Sequence, residues 1–342
     1  MKRRSDKTRI EYVDLAKGLV MLLVIIGHTY TPHGIKYGIY SFHMPFFFLI
    51  SGYFLKLDQA KNLSFFLKKK ARAYLLPYFI TCGAVLFFYA IKSVLEHTLI
   101  LETLTKWIVA SLYGLPMENL PGAPSKIQYI GAIWFLQALF WAETEVFIIL
   151  KIKTKDVYKL FLFVVINLIA VFGGRTFLLP TNINTGLAAG TFVFLGHIIR
   201  KNELVKRLQS KKSFLISLIL WAICVYCYWK LRQPFYMAYL EYPLYGLDVI
   251  SGMAGTFVFI ELSKIISKSN FKSINRLIKM VGKNTLFIMC VHLFDLDCFG
   301  FFMENRPLLL IFRIVFDLFI GITIGNMVKR YKGNAQKKAW RC

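Results

Sequence analysis

The sequence predicts an all-α, polytopic integral membrane protein with about ten transmembrane helices and both termini in the cytoplasm. Three observations lead to this fold class: 57% of the 342 residues are hydrophobic, the mean hydropathy is +0.54, and apolar stretches alternate with short basic ones. Soluble domains contain roughly 45 to 50% apolar residues. We therefore expect residues 1–342 to form a single membrane domain.

Ten apolar stretches are each near or somewhat under the roughly 20 residues that a helix needs to cross a bilayer. We predict spans at residues 12–31, 39–55, 74–91, 130–150, 160–174, 183–199, 214–229, 244–262, 280–294 and 308–328. The first span follows a basic segment, as the apolar part of a signal peptide does. It contains Lys17 and His28 and has no small-residue cleavage site, so we expect it to remain in the mature protein.

The formal net charge of +25 has two possible explanations, a nucleic-acid partner or membrane topology. With a cytoplasmic N-terminus, 33 of the 43 Lys and Arg residues fall in cytoplasmic segments and 8 in external ones, while Lys17 and Arg313 lie within spans. This bias alternates loop by loop, as it does in membrane proteins that keep Lys and Arg inside. The excess charge therefore indicates topology, and we expect no nucleic-acid partner.

Polar residues of the first two spans are the strongest functional candidates. Lys17 and His28 are eleven residues apart, about 20° past three helical turns, so both project from one face, roughly 16 Å apart along the axis. Asp14 can pair with Lys17 on that face. His43 begins the next span, which places it at a depth similar to that of His28. Charged and titratable groups inside a membrane helix mark a functional interior, and a neutral histidine there can take a proton from an attacking alcohol.

Later spans also carry charged residues. Glu143 and Glu145 share one apolar span, and two carboxylates there are not expected both to face lipid. Arg313 and Asp317 are four residues apart on one helix face, where we predict a structural ion pair. His292 lies in the ninth span. None of these positions is assigned a catalytic role by its spacing.

The six cysteines lack the spacing of a secreted disulfide framework. Cys224 and Cys227 form a C-x-x-C motif within a span, with no histidine or second pair nearby. We interpret them as small buried hydrophobic residues. We predict no metal site.

Two segments outside the spans have open interpretations. Lys68, Lys69, Lys70 and Arg72 cluster at the cytoplasmic end of the third span, where they signal topology and also suit the phosphates of a nucleotide-bearing donor. The external segment 92–129 contains several Pro and Gly residues, so we do not expect it to form another span. It is either a cover for a substrate entrance or a plain loop.

Motifs near the N-terminus resemble a known family. Residues 9–18 (RIEYVDLAKG) and 24–29 (VIIGHT) closely resemble the first-helix signature of the membrane acyltransferase-3 family, and residues 42–54 (FHMPFFFLISGYF) resemble its second-helix block. Weaker matches at 134–136 (WFL) and 282–292 (GKNTLFIMCVH) follow in the expected order. With lysine at position 17, the chain looks most like the branch that includes fucose 4-O-acetylase-like enzymes.

The resemblance implies a ten-helix O-acyltransferase of the cell membrane. It would move acetyl from cytoplasmic acetyl-CoA to a hydroxyl of a sugar in a bacterial surface polysaccharide or lipid-linked glycan. His28 would be the catalytic base, Lys17 its motif partner and His43 a second site residue, with Lys68, Lys69, Lys70 and Arg72 as the donor-binding cluster.

The expected partners are acyl-CoA, the glycan acceptor, membrane lipid and, as an option, a second copy of the chain. Many relatives carry an appended esterase-like domain that we do not find here, so we expect direct transfer to the acceptor or to a separate soluble partner. The alternative function is transport of a small anionic or sugar-like solute. We find no internal repeat of the kind that such transporters use.

Overall fold

The computed structural model describes residues 10–28, 32–57, 62–118, 120–124, 127–207, 210–298 and 307–338. The helices are α1 (Glu11–Gly27), α2 (His33–Tyr40), α3 (His43–Phe54), α4 (Leu63–Lys70), α5 (Leu76–Leu95), α6 (Ile100–Tyr113), α7 (Trp134–Leu150), α8 (Asp156–Thr176), α9 (Ile183–Lys201), α10 (Leu204–Arg207), α11 (Lys211–Leu231), α12 (Leu247–Ser267), α13 (Lys272–Lys283), α14 (Thr285–Cys298) and α15 (Pro307–Lys338). A π-helix, Ala71–Leu75, joins α4 to α5. Three 3₁₀ turns lie at Gly131–Ile133, Pro180–Asn182 and Met237–Tyr239. The predicted all-α class is confirmed for the described residues, whose one isolated β-bridge joins Tyr236 to Glu241.

Within these ranges, seven helical runs are long and apolar enough to cross a membrane, and an eighth is added if α13 and α14 count as one bent span. The seven runs are Leu63–Leu95, Gly131–Leu150, Asp156–Thr176, Pro180–Lys201, Lys211–Leu231, Leu247–Ser267 and Ile311–Tyr331. The chain is thus a multi-pass membrane protein. The other two predicted spans correspond to α1, with 17 residues, and α3, with 12. The count of ten and the cytoplasmic termini stay predictions.

The second predicted span, 39–55, begins inside α2 and is interrupted before α3. Ser41 ends α2, because its hydroxyl donates to the carbonyl of Gly38 at 2.7 Å and so satisfies a carbonyl that the helix leaves open. Phe42 then leaves the helical conformation, with φ −145°, and α3 begins at His43. The break places α2 and α3 at the C-terminal end of α1, and it divides a segment that the sequence predicted to be one continuous helix.

A sharp bend interrupts the ninth predicted span, 280–294. Helices α13 and α14 meet at 77° around Asn284. The side-chain amide of Asn284 donates to the carbonyl of Met280 at 2.9 Å. In a continuous helix the backbone N–H of Asn284 would make that hydrogen bond, but here it donates to the carbonyl of Val281. Lys329 of α15 donates to the side-chain oxygen of Asn284 at 2.6 Å, which holds the bend against a third helix.

Helix α1 is held by close backbone contact with α13. A Cβ atom added at Gly18 would overlap the carbonyl of Ile278, and one added at Gly282 would overlap the carbonyl of Asp14. Small residues at both positions therefore let the two backbones touch, as in other membrane helix pairs. This contact fixes the rotation of α1 and hence the direction of its Lys17–His28 face.

Helix α9 packs against α3, α7 and α8. Its contact with α3 also depends on close approach, because a Cβ at Gly52 would overlap the carbonyl of Val193. On α7, Glu143 and Glu145 are both buried, with 1% and 6% exposure, so the prediction that they do not both face lipid is confirmed.

Segment 92–129, for which we predict an external location, contains α6, which has 14 residues and is too short to be a span, as predicted. Its neighbours Pro116 and Tyr129 line the cavity described below, so the segment covers part of that cavity. On α11, the thiols of Cys224 and Cys227 are free, as are the other described cysteines.

Candidate active site

A cavity of about 660 Å³ lies among α1, α2, α3, α7, α14, the π-helix and the loop between α11 and α12. Its walls are mostly apolar. Its polar lining consists of Lys17, His28, Tyr40, His43, Ser51, Tyr74, Tyr129, Trp134, Tyr236, Tyr239, Thr285 and Asp297. The structure thus brings Lys17, His28 and His43, the three predicted catalytic residues, to one cavity.

His28 follows the last residue of α1, and its backbone N–H donates to the carbonyl of Val24 at 3.2 Å. Its ring nitrogen Nδ1 lies 2.8 Å from the carbonyl of Val24. A carbonyl oxygen only accepts hydrogen bonds, so Nδ1 carries the hydrogen of the neutral ring. The other nitrogen, Nε2, then has a free lone pair, as a general base requires.

His43 is the first residue of α3 and is bound in the same way. Its Nδ1 lies 2.9 Å from the carbonyl of Ile39, so its Nε2 also keeps the lone pair. Tyr40 lies between the two histidines, with ring centroids 4.9 Å from His43 and 6.3 Å from His28. The Tyr40 hydroxyl donates to the carbonyl of Gly27 at 3.1 Å, which joins α2 to the end of α1.

Three tyrosines form the wall beside the histidines. The rings of Tyr40 and Tyr236 meet edge to face, with centroids 4.7 Å apart, and the ring centroids of Tyr236 and Tyr239 are 4.9 Å apart. Tyr236 and Tyr239 belong to the loop between α11 and α12, outside the spans. Burial, followed by the neighbouring Tyr239, raises the pKa of Tyr236 to about 12, so its phenol stays protonated at neutral pH. Tyrosine rings with protonated hydroxyls offer both apolar faces and hydrogen-bond donors.

Lys17 lies at the opposite end of the cavity. It pairs with Asp14 at 3.2 Å, as predicted, and 24% of its side chain is exposed. Ser51 and Tyr74 line the cavity as well, and both donate to the buried carboxylate of Glu143, Tyr74 at 2.9 Å. Lys70 pairs with the same carboxylate. This network fixes polar groups of α3, the π-helix and α7 relative to one another.

A sequence model of the acyltransferase-3 domain family matches residues 10–327, nearly the whole chain. The chain belongs to the acyltransferase-3 family. Comparison with curated proteins and with solved structures finds no match. Family membership makes the protein a membrane acyltransferase, and it favours this function over the transporter that the intramembrane charges alone left open.

The predicted donor cluster of the acyltransferase is divided by the fold. Lys68, Lys69 and Arg72 are exposed on α4 and the π-helix, whereas Lys70 turns inward to Glu143 and packs over the rings of Phe66 and Tyr74. None of the four lines the cavity, although Tyr74, two residues after Arg72, does. The role of these four residues as a donor site stays a prediction. Lys70 differs from the other three because it already pairs with Glu143.

The prediction that Arg313 and Asp317 pair with each other is wrong, because each has a partner on another helix. Arg313 pairs with Asp295 of α14, and Asp317 accepts from Nδ1 of His292 at 2.7 Å. The two residues do share one face of α15, but that face packs against α14, whose His292 and Asp295 are one turn apart. Contacts between the helices therefore replace the expected contact within one helix.

His292, Asp295 and Asp317 also offer three possible metal-ligand atoms within 4.8 Å of one another, the one such group among the described residues. Arg313 already contacts Asp295, so a divalent cation would have to displace or repel a guanidinium. A positively charged side chain in the ligand shell disfavours a metal.

Sequence reasoning did not find several residues of the site. Tyr40, Ser51, Tyr74, Tyr236 and Tyr239 line the cavity but were not selected. Ser51 lies within the second-helix motif, which was a usable signal. The tyrosines are among 18 in the chain, and nothing in their local spacing separates the cavity residues from the rest.

Proposed function

We propose that this acyltransferase moves an acetyl group from cytoplasmic acetyl-CoA to a hydroxyl of a sugar outside the membrane. The acceptor is a bacterial surface polysaccharide or a lipid-linked glycan, and the enzyme belongs to the fucose 4-O-acetylase-like branch of the family, in the cell membrane. One observation carries the proposal: a single cavity contains both Lys17 and His28, which lie roughly 16 Å apart along α1. A cytoplasmic donor and an external acceptor can meet in such a cavity.

His28 is the general base in this mechanism. Its Nε2 lone pair takes the proton of the acceptor hydroxyl while the hydroxyl oxygen attacks the thioester carbonyl carbon. The C–O bond forms, the C–S bond breaks, and the electron pair leaves with the CoA sulfur. The proton on His28 then passes to that thiolate, so the base is regenerated. His43, which has the same tautomer, positions the acceptor from the start of α3.

The inner part of the cavity suits the donor. Its apolar walls accept the pantetheine arm, while Ser51 and Tyr74 supply hydroxyl groups at fixed positions. The phosphates of CoA stay at the cytoplasmic surface, where exposed Lys68, Lys69 and Arg72 offer cations. Lys17, paired with Asp14, also lines this cavity.

The outer part suits a sugar. A sugar ring presents apolar C–H faces and a rim of hydroxyls, and the rings and hydroxyls of Tyr40, Tyr236 and Tyr239 match both features. His28 and His43 lie beside these tyrosines. The arrangement supports a sugar hydroxyl as the group that is acylated.

The proposal is tested with purified enzyme in vesicles that contain acetyl-CoA labelled in the acetyl group. Label is expected on a glycan acceptor supplied on the opposite side. Mass spectrometry of surface glycan from cells with and without the enzyme should show the mass of one acetyl group on each modified repeat. Uptake of solute without acetyl transfer would instead establish the transporter.

A further inference from the structure

A buried cluster of four ionisable side chains lies next to the cavity and has no role in the mechanism above. His292 and Asp295 come from α14, and Arg313 and Asp317 come from α15. His292 and Asp317 have 0% exposure, and His292 does not line the cavity. Buried ionisable groups in a membrane helix are costly to keep, so the cluster calls for a function.

Within the cluster, the hydrogen bonds leave one nitrogen free. Nδ1 of His292 lies 2.7 Å from Oδ2 of Asp317, so a carboxylate there makes Nδ1 the protonated nitrogen. Nε2 of His292 is buried and has no hydrogen-bond partner in the described part of the chain. The ring is therefore held in the orientation and tautomer in which Nε2 carries a lone pair and no hydrogen.

The charges of the cluster do not balance when both carboxylates are ionised. Asp295 and Asp317 contribute two negative charges, and Arg313 contributes one positive charge. A buried charge without a counter-charge is strongly unfavourable. A positive charge near Nε2 of His292, either on the ring itself or on a neighbouring group, restores neutrality.

The group placed to provide that charge is His28. The rings of His28 and His292 meet edge to face, with centroids 5.6 Å apart and an angle of 75° between their planes. His28 lines the cavity, and His292 lies behind it, away from the cavity lining. In the proposed mechanism, His28 becomes positively charged only while it holds the proton of the acceptor.

We propose that His292 and Asp317 are a positioning pair that stabilises protonated His28 during acyl transfer. This inference rests on the proposed function. The acceptor proton moves to Nε2 of His28, the negative charge that the cluster carries when both of its carboxylates are ionised stabilises the resulting imidazolium, and the proton leaves to the CoA thiolate. No bond to His292 forms or breaks, and His292 fixes the ring of His28 from behind.

The test combines single and double variants in the vesicle assay. His292→Gln and Asp317→Asn are each made alone and together with His28→Gln, and His197→Gln is the control, because His197 is a half-buried histidine on α9 that does not line the cavity. Each single variant of the pair is expected to lower kcat about 10- to 100-fold with little change in KM for the donor. In the His28→Gln background, either change should cost less than about twofold more, because the group it assists is absent.

Three outcomes would overturn the proposal. One is a loss in the His28→Gln background as large as in the parent, which would indicate a general structural defect. Another is failure of both single variants to insert while His197→Gln inserts normally, which would make the pair a folding element. The third is a stoichiometric divalent metal in the parent that is lost in His292→Gln, which would make the cluster a metal site. Activity retained in His28→Gln would instead reject the proposed mechanism itself.

Discussion

Lys70 and Glu143 form an ion pair between the end of α4 and the middle of α7, with 16% and 1% of their side chains exposed. Glu143 also accepts hydrogen bonds from Ser51 and Tyr74, which line the cavity. The Glu143 carboxylate of α7 therefore contacts α3, α4 and the π-helix beside the proposed donor path. Lys70 is therefore required for a different reason than its exposed neighbours.

Lys70→Met should destabilise the protein by about 3–5 kcal/mol, because it leaves the buried carboxylate of Glu143 without its cation. Adding Glu143→Gln should recover a large part of that loss, since the double variant buries no charge. Unfolding of the detergent-solubilised protein measures both. Lys68→Met, at an exposed position on the same helix, is the control and should stay within roughly 0.5 kcal/mol of the parent. Equal losses in the single and double variants would contradict the pairing.

The exposed part of the basic cluster is tested separately from Lys70. Replacing Lys68, Lys69 and Arg72 together by Gln should raise KM for acetyl-CoA about tenfold or more and leave KM for the acceptor within about twofold. The reason is that CoA carries the phosphates, whereas the proposed acceptor site lies at the other end of α1. Insertion is checked independently, since these charges also set topology. An unchanged donor KM in a correctly inserted variant would reject the cluster as the donor site.

His28→Gln should insert and bind donor like the parent but lose at least about a hundredfold in turnover, as expected for removal of a general base. Turnover and equilibrium donor binding are measured on the same preparation. His197→Gln, outside the cavity, should keep near-parental turnover. Near-parental turnover in His28→Gln would reject the proposed mechanism.

His43→Gln should also lower turnover, to an equal or somewhat smaller extent, because its assigned role is to position the acceptor. The loss should appear partly as a higher KM for the acceptor. Kinetics at varied acceptor concentration distinguish the two histidines. A change confined to donor KM would place His43 at the wrong end of the cavity.

Gly282→Val should weaken the contact between α1 and α13, because its side chain would overlap the backbone carbonyl of Asp14. Overpacking of this kind costs about 1–3 kcal/mol, and here it would also displace Lys17. Gly83→Val on α5 is the matched control, since a Cβ there meets no atom within 4 Å. Thermal unfolding in detergent should show a lower Tm for Gly282→Val alone. Similar Tm values for the two variants would argue against the close approach.

The topology prediction is tested by labelling with a membrane-impermeant thiol reagent in intact cells. A cysteine at Arg330, after the apolar part of α15, should be protected, and one at Gln233, after α11, should react. The native cysteines are controlled with the unsubstituted parent. Reaction at position 330 together with protection at position 233 would invert the assignment.

The sequence by itself determined the all-α membrane class, the family and three of the polar residues that line the cavity. Apolar length and the distribution of basic residues are properties of single segments, so they can be read without knowing which helices touch. The Lys17–His28 spacing is likewise a property of one helix, since the periodicity of the α-helix alone puts both side chains on one face. The sequence also predicts that Glu143 and Glu145 do not both face lipid, because lipid excludes carboxylates whichever helices are the neighbours.

The tertiary structure decided the rest, because it depends on which surfaces meet. The break at Ser41 and the bend at Asn284 arise from side-chain hydrogen bonds that compete with the helix backbone, and apolar length does not report them. Arg313 pairs with Asp295 instead of its helix neighbour Asp317, because α14 packs on the face of α15 that carries Arg313. The rings of His292 and His28 are in contact because α14 packs beside the end of α1, although the two helices are far apart in the sequence. Partners across helices are selected by distance in space, which local periodicity does not encode.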